Sequence, residues 1–352
     1  MTLLYPKLGL LSITLWTVAG CFSPTEQAYP KISGFTMGTT YQITYNSESS
    51  INQGEVDALL LQINAALSTY IDSSLISRFN QSISGLILDQ TIDSLEKAYF
   101  LHNLELALDI CQGTDGWFDP TVMPLVNYWG FGYVERSKKE YEVSDTLQSL
   151  LKRIGCDKIS ISKGEIDHIG KQHELVELDF SAIAKGFAVD VLADYLQSQG
   201  SQDYLIDIGG EVKAAGLNHK DHPWSVGVNR PSETAKPNEI IAIISLDRSA
   251  MATSGNYRNY YRTDQGQTVS HTLNPKSGMP ERNDLLSVTI VSDDCATADA
   301  YATACLAMGL EKAKKLVENS DFLECLLIYS DSNGHFLQYV SDGLRDNVEI
   351  IH

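Results

Sequence analysis

An α+β fold is what this chain of 352 residues predicts. Segments with apolar residues at helical spacing lie among segments that alternate apolar and polar with period two. Several strand candidates follow one another directly, which argues against a regular βαβ repeat. A hydrophobic content of 43% is enough for a substantial core in one large domain or two modest lobes.

The fold is expected over residues 35–352. Before it, a short start containing Lys7 leads into the apolar run LGLLSITLWTVAG (Leu8–Gly20), then Cys21 and the polar FSPTEQAYPK, a secretory signal pattern. The run falls short of the roughly 20 residues a spanning helix needs. Val18, Ala19 and Gly20 directly before Cys21 resemble a bacterial lipoprotein signal, in which the cysteine is lipidated and becomes the mature N-terminus. Residues 1–20 then read as signal peptide and 21–34 as a tether, polar and with two prolines between Pro24 and Ser33. The competing reading is an ordinary cleaved signal with an incidental cysteine. Because Phe22 rather than Asp follows Cys21, the usual inner-membrane retention signal is absent. The expectation is export and lipid anchoring facing the periplasm, with the inner membrane preferred and the outer left open.

The first strand is predicted at TTYQITYN, where Tyr41, Ile43 and Tyr45 alternate. A helix is expected from about Glu55 to Tyr70, with Val56, Leu59, Leu60, Ile63 and Leu67 on its apolar face. DSLEKAYFLHNLELALDICQ opens on an Asp or Ser cap and should bury Leu95, Tyr99, Leu106 and Ile110. SLLKRIG and AKGFAVDVLADYLQSQG read as helices, the second closed by Gly200. YLIDIGG, WSVGV, IIAIISL, LLSVTIV, FLECLLIYS and HFLQYV read as strands, the last two joined through the turn DSNG. NRPSETAKPNE reads as a surface loop.

A formal net charge of −19 makes nucleic acid a poor partner, since phosphate binding depends on clustered Lys and Arg. Without Cys21 five cysteines remain, with no Cys-x-x-Cys pair to suggest zinc or redox chemistry. A disulfide is compatible with an oxidising compartment, but its pairing is not legible.

Five segments are richer in Gly, Asp and polar residues than a core requires: SDDCATADAYATACLAMG, FTMGTTY, GWFDPTVMPLVNYWGFG, LDFSAIAKGFAVD with IDIGGEVKAAG, and MATSGNYRNYY with HTLNPKSG. In SDDCATADAYATACLAMG, Asp299 and Thr303 stand four residues apart, so on a helix their oxygens share one face among small neighbours. They form either a site for a small cation or a helix hydrogen bond in the core. In FTMGTTY and MATSGNYRNYY, Gly38 and Gly255 serve either a tight turn or the close approach of a ligand, with Met37, Thr39, Ser254 and Tyr257 beside them. GWFDPTVMPLVNYWGFG places Trp117 and Phe118 before Asp119, as the lining of a flat-ring pocket or as a satellite core. In LDFSAIAKGFAVD a strand passes into a helix near Ser181, so Lys185 and first-turn amides can face an anion. Alternatively, Asp179 is a turn residue and Lys185 a solvated lysine. His271 precedes an Asn-Pro turn in HTLNPKSG, as a site residue or a structural one. P-loop, dinucleotide, paired-histidine and nucleophile-elbow spacings are all missing.

Together and in this order these segments resemble the ApbE family of flavin transferases, from about Phe35 to Gly309. The resemblance implies a two-lobed, T-fold-like α+β domain with FAD bound between the lobes. It also implies Mg²⁺-dependent transfer of FMN from FAD to a threonine or serine of a target protein, with release of AMP. Asp299 and Thr303 match the family's metal pair, joined by the carbonyls of Ala182 and of Ala302, an all-oxygen set suited to Mg²⁺. Met37, Tyr70, Trp117, Phe118, Asp119, Asp179, Lys185 and His271 occupy positions that contact FAD in the family. Asp299, Asp179 and His271 are alternatives for the group that takes the acceptor's proton. Flavin-carrying subunits of Na⁺-pumping NADH:quinone reductase or Rnf complexes are the implied acceptors. The chain departs from a common family form in DFSAIAKG, where others carry two glycines before the Ile, and has Asn274 where aspartate is also frequent. An FAD pyrophosphatase and a flavin-binding lipoprotein without catalysis are the alternatives; the second would not need the Asp299 and Thr303 pair.

Overall fold

The computed structural model describes residues 28–134, 144–232, 235–236, 239–256, 260–263 and 266–351. The segment read as signal peptide, Cys21, half of the segment read as tether and Tyr257 lie outside the described residues.

In chain order, the hairpin β1 (Lys31–Thr36) and β2 (Thr39–Asn46) is followed by helices α1 (Gln53–Leu67) and α2 (Leu75–Gln81), strand β3 (Gly85–Leu88) and helix α3 (Ser94–Gly113). Next come the short helices α4 (Met123–Tyr128) and α5 (Asp145–Leu151), the hairpin β4 (Ile159–Ser162) and β5 (Asp167–Lys171), and helix α6 (Ala184–Ser198). A run of strands follows: β6 (Asp203–Ile208), β7 (Glu211–Ala215), β8 (Trp224–Asn229), β9 (Ile240–Leu246), β10 (Ser249–Gly255), β11 (Tyr260–Arg262), β12 (Thr268–Ser270) and β13 (Leu285–Ser292). The chain closes with α7 (Cys295–Met308), α8 (Leu310–Glu318), β14 (Glu324–Ser330), β15 (Phe336–Val340) and β16 (Val348–Ile350).

An antiparallel sheet in the order β1-β2-β6-β7-β10-β13-β14-β15 forms the centre. Its two faces bury different partners, as period-two alternation requires. On β14, Cys325 and Leu327 enter the core with the long helices, whereas Leu326 and Ile328 join Trp224, Val228 and Ile244 of the small sheet β16-β9-β8. On β10, Ala250 and Ala252 face the helices and Met251 the small sheet. A third apolar cluster, around Trp129, Leu125, Leu147, Val269 and Leu273, builds a smaller lobe from α4, α5 and the β11-β12 ribbon. The α+β expectation and the two-part arrangement both hold.

Several expectations shift in detail. The strand β1 begins at Lys31, inside the segment read as tether, because residues 31–36 find a complete antiparallel partner in β2. Helix α3 has the expected Asp93 cap, whose side chain accepts from the amides of Leu95 and Glu96, but its buried face is Phe100, Leu104, Ala107 and Ile110. Leu95 is 43% exposed, since it stands in the first turn before the helix meets the core. Cys111 and Cys156 form a disulfide, tying the end of α3 to the approach to β4, while Cys295, Cys305 and Cys325 are free and buried. Among the described residues no helix is long and apolar enough to cross a membrane.

Candidate active site

A cleft of about 710 Å³ opens between the sandwich and the smaller lobe. Nine of the residues expected at a site line it: Trp117, Phe118, Asp119, Asp179, Ala182, Lys185, His271, Asp299 and Thr303. They come from segments as far apart as residues 117 and 303, which only the folded chain brings together. Met37, Tyr70 and Ala302 are not among the lining residues. Ala302 is fully buried on α7, one residue from the cleft-lining Thr303. Tyr70 is 72% exposed, with its hydroxyl raised above the usual phenol range by partial desolvation and then by the charge of Asp179. Met37 and Gly38 are the two central residues of the β1–β2 hairpin, both with positive φ (48° and 73°), the signature of a primed two-residue turn. For Gly38 the turn reading is therefore correct. Gly255 ends β10 without positive φ and lines the cleft.

The cation pair is presented by α7, which starts at the cap Asp294, whose side chain accepts from the amide of Thr297. One turn on, Asp299 is 3% exposed and its Oδ2 accepts from the amide of Gly186 at 3.2 Å. Thr303 follows on the same face, its Oγ1 3.1 Å from Ser254 Oγ on β10. Such proximity depends on Gly186, where a Cβ would overlap the backbone of Cys295 and Ala296 and force α6 away from α7. This is the close approach of backbones that the small residues suggested.

Lys185, in the first turn of α6, is no solvated lysine. Its Nζ lies 3.2 Å from Glu211 Oε1 and 3.7 Å from Asp299 Oδ2, and it donates to the Ser181 carbonyl at 3.4 Å. Burial works to lower its pKa, but Asp299 and Glu211 together reverse that and raise it, so it stays charged. Burial raises the Asp299 carboxyl above the ordinary range, against the opposing pull of Lys185 and the Gly186 amide. Of the amides around the first turn of α6, Ile183 and Ala184 donate to Phe180, Gly186 to Asp299 and Phe187 to Ile183, so these four are already satisfied within the protein.

Asp119 and Asp179, which both line the cleft, form a matched pair of turns. Asp119 Oδ1 accepts from the amide and hydroxyl of Thr121, Asp179 Oδ1 accepts from the amide of Ser181, and the Asp179 amide donates to Pro120. Burial raises both carboxyls. The aromatic segment divides: Trp117 and Phe118 line the cleft, whereas Trp129 is wholly buried and donates to the Gly278 carbonyl. Asn274 holds the turn after His271 together, accepting from the amides of Lys276 and Ser277 and donating to Glu281.

Glu211 and Asp207 line the cleft but were not singled out from the sequence. The two-residue turn Gly209–Gly210, both with positive φ, closes β6 onto β7 and leaves Asp207 and Glu211 at the hairpin tip. The glycine pair beside two carboxylates was the available signal.

The donors suit a hard divalent cation. Asp299 brings a carboxylate and Thr303 a hydroxyl, both oxygen donors, and Ala182 lines the same cleft. Magnesium habitually takes one or two carboxylates and fills its remaining positions with water and substrate phosphates.

Comparison with known proteins agrees with this architecture. The ApbE family model matches residues 37–327. The chain belongs to the ApbE family. It is 37% identical over 340 residues to the FAD:protein FMN transferase of Vibrio cholerae serotype O1, covering 94% of this chain and 96% of that protein. The FAD:protein FMN transferase of Haemophilus influenzae is 34% identical over 336 residues, covering 92% and 93%. Among solved structures, the flavin transferase ApbE from Vibrio cholerae superposes with a TM-score of 0.79 at 34% identity, covering 91% of this chain and 99% of that one. The apo flavinyl transferase ApbE of Pseudomonas stutzeri superposes with a TM-score of 0.75 at 30% identity, covering 91% and 96%. The ApbE fold and the two-part sandwich described above thus coincide.

Proposed function

We propose that this ApbE-family chain is an FAD:protein FMN transferase that moves FMN from FAD to a threonine or serine hydroxyl, with Mg²⁺, and releases AMP. The observation that carries the reading is the convergence of Asp299, Thr303 and Lys185 at the floor of one cleft whose wall holds Trp117 and Phe118. Trp117 and Phe118 pack against the flavin, and Lys185 faces the diphosphate. Asp299, Thr303 and the Ala182 carbonyl hold the cation, with the Ala302 carbonyl next to them on the helix. Bound there, magnesium would supply neutralising charge for the diphosphate.

The acceptor oxygen forms a bond to the FMN phosphorus, the bond from that phosphorus to the bridging oxygen breaks, and AMP departs with that oxygen. His271 takes the acceptor's proton in this reading. Asp299 is occupied by Lys185, Gly186 and the cation, and Asp179 Oδ1 by the Ser181 amide. Burial of the reacting groups in the cleft strengthens the attraction of Lys185 for the developing charge.

Export and lipidation at Cys21 place this chemistry in the periplasm, on either membrane, with flavin-carrying subunits of Na⁺-pumping NADH:quinone reductase or Rnf complexes as acceptors. The Cys111–Cys156 disulfide supports an oxidising compartment. Chromatography of FAD incubations tests the chemistry: AMP should accumulate with Mg²⁺ and an acceptor, and Asp299→Ala should stop it while the circular dichroism spectrum is retained. Full turnover by that variant would refute the assignment of the cation site.

A further inference from the structure

In the proposed reaction Asp299 binds the cation and Lys185 the diphosphate, yet in the chain the two are paired with each other, 3.7 Å apart. The Lys185 contact and the Gly186 amide both fall on Asp299 Oδ2, so a cation at Asp299 draws its charge away from a partly buried ammonium. Losing one partner of such a pair without replacement is costly, because the remaining charge is left uncompensated.

Glu211 stands on the other side of that ammonium. It is the first residue of β7, 5% exposed, with Oε1 3.2 Å from Lys185 Nζ and Oε2 buried without a hydrogen-bond partner. It lines the cleft, and its position is set by the Gly209–Gly210 turn. Two carboxylates thus share one ammonium. With Glu211 replaced by a neutral side chain, Lys185 would close on Asp299, in direct competition with an entering cation.

We propose that Glu211 is a positioning residue that keeps the Lys185 ammonium compensated while Asp299 turns to the cation. Its unpartnered Oε2 is available for a second ammonium hydrogen when Asp299 lets go. Lys185 thereby stays at the cleft floor, where it meets the diphosphate. This inference rests on the metal and diphosphate reading above.

The test uses Mn²⁺ as a magnetic probe, titrated into the full chain without FAD and followed by electron paramagnetic resonance of the free ion, so that no turnover is needed. Wild type should bind Mn²⁺ and Asp299→Ala should not. Glu211→Gln should weaken binding by about tenfold or more, through unopposed competition from Lys185. Adding Lys185→Met to Glu211→Gln should restore affinity toward wild type by removing the competitor, which a merely structural loss at Glu211 would not do. Wild-type affinity in Glu211→Gln, or no recovery in the double variant, overturns the inference while leaving the metal site standing. Failure of wild type to bind Mn²⁺ overturns the metal reading and the inference together.

Discussion

Thr303 on α7 and Ser254 on β10 stand with their hydroxyl oxygens 3.1 Å apart, so a sheet strand holds in place the helix side chain we propose as a cation ligand. Partners that orient a metal ligand typically alter metal affinity by about 10- to 100-fold when removed. Ser254→Ala should therefore raise the Mg²⁺ concentration for half-maximal FMN transfer by about tenfold. Thr303→Val, which removes the ligand itself, should have the larger effect. A magnesium titration of both variants checks the order.

The start of α7 is locked by a buried ion pair. Asp190 accepts from the amides of Cys295 and Ala296 and pairs with Lys213 at 2.7 Å. Lys213→Met should cost about 3 kcal/mol by leaving Asp190 without its counter-charge, measurable by urea unfolding. Burial lowers the Lys213 pKa, but Asp190 outweighs it and holds the value above the ordinary 10.5. The pair's contribution is therefore complete below pH 10.5 and fades as pH climbs through the higher folded value. Wild type should lose stability in that alkaline window, and Lys213→Met should lack this component.

Gly186 allows α6 and α7 to touch, and it also supplies the amide that holds Asp299. Gly186→Ala should destabilise the protein by about 1–3 kcal/mol through overpacking against the α7 backbone. A thermal melt reads this directly, and weakened Mn²⁺ binding should accompany it because Asp299 shifts with the helix.

Trp117 lies at the cleft with the ammonium groups of Lys312 and Lys276 at 4.1 and 5.1 Å from its ring centroid. Those lysines hold the indole against the wall by cation–π attraction. Trp117→Ala should weaken FAD binding by about tenfold, from lost ring contact. Fluorescence titration with FAD in the absence of Mg²⁺ isolates this effect from turnover.

The sequence revealed most of what is periodic. The strand TTYQITYN coincides with β2, and the Gly200 stop with φ of 85° closes α6 as its position implied. Helix α3 was legible as a helix but not in its buried face, because Leu95 and Phe100 are equally apolar and only the packed sheet decides between them. Strand β7 was hidden in GGEVKAAG because its small residues fill a sheet covered on both faces and lack the bulky alternation of β2. Spacing alone put Asp299 and Thr303 on one helix face and left open whether they serve a cation or a helix hydrogen bond. Glu211 was not, since its meaning arises only when the hairpin brings it to an ammonium from α6. The Cys111–Cys156 pairing was likewise a matter of tertiary geometry.

The account's central claim is that FMN leaves FAD for a protein hydroxyl in a cation-dependent step. Mass spectrometry of a threonine-containing flavin-acceptor domain, incubated with this protein, FAD and Mg²⁺ and with an EDTA control, tests it most directly. The predicted result is a mass gain equal to esterified FMN, located on a threonine and absent with EDTA. Free FMN and AMP with the acceptor unlabelled, or labelling that persists in EDTA, would contradict it.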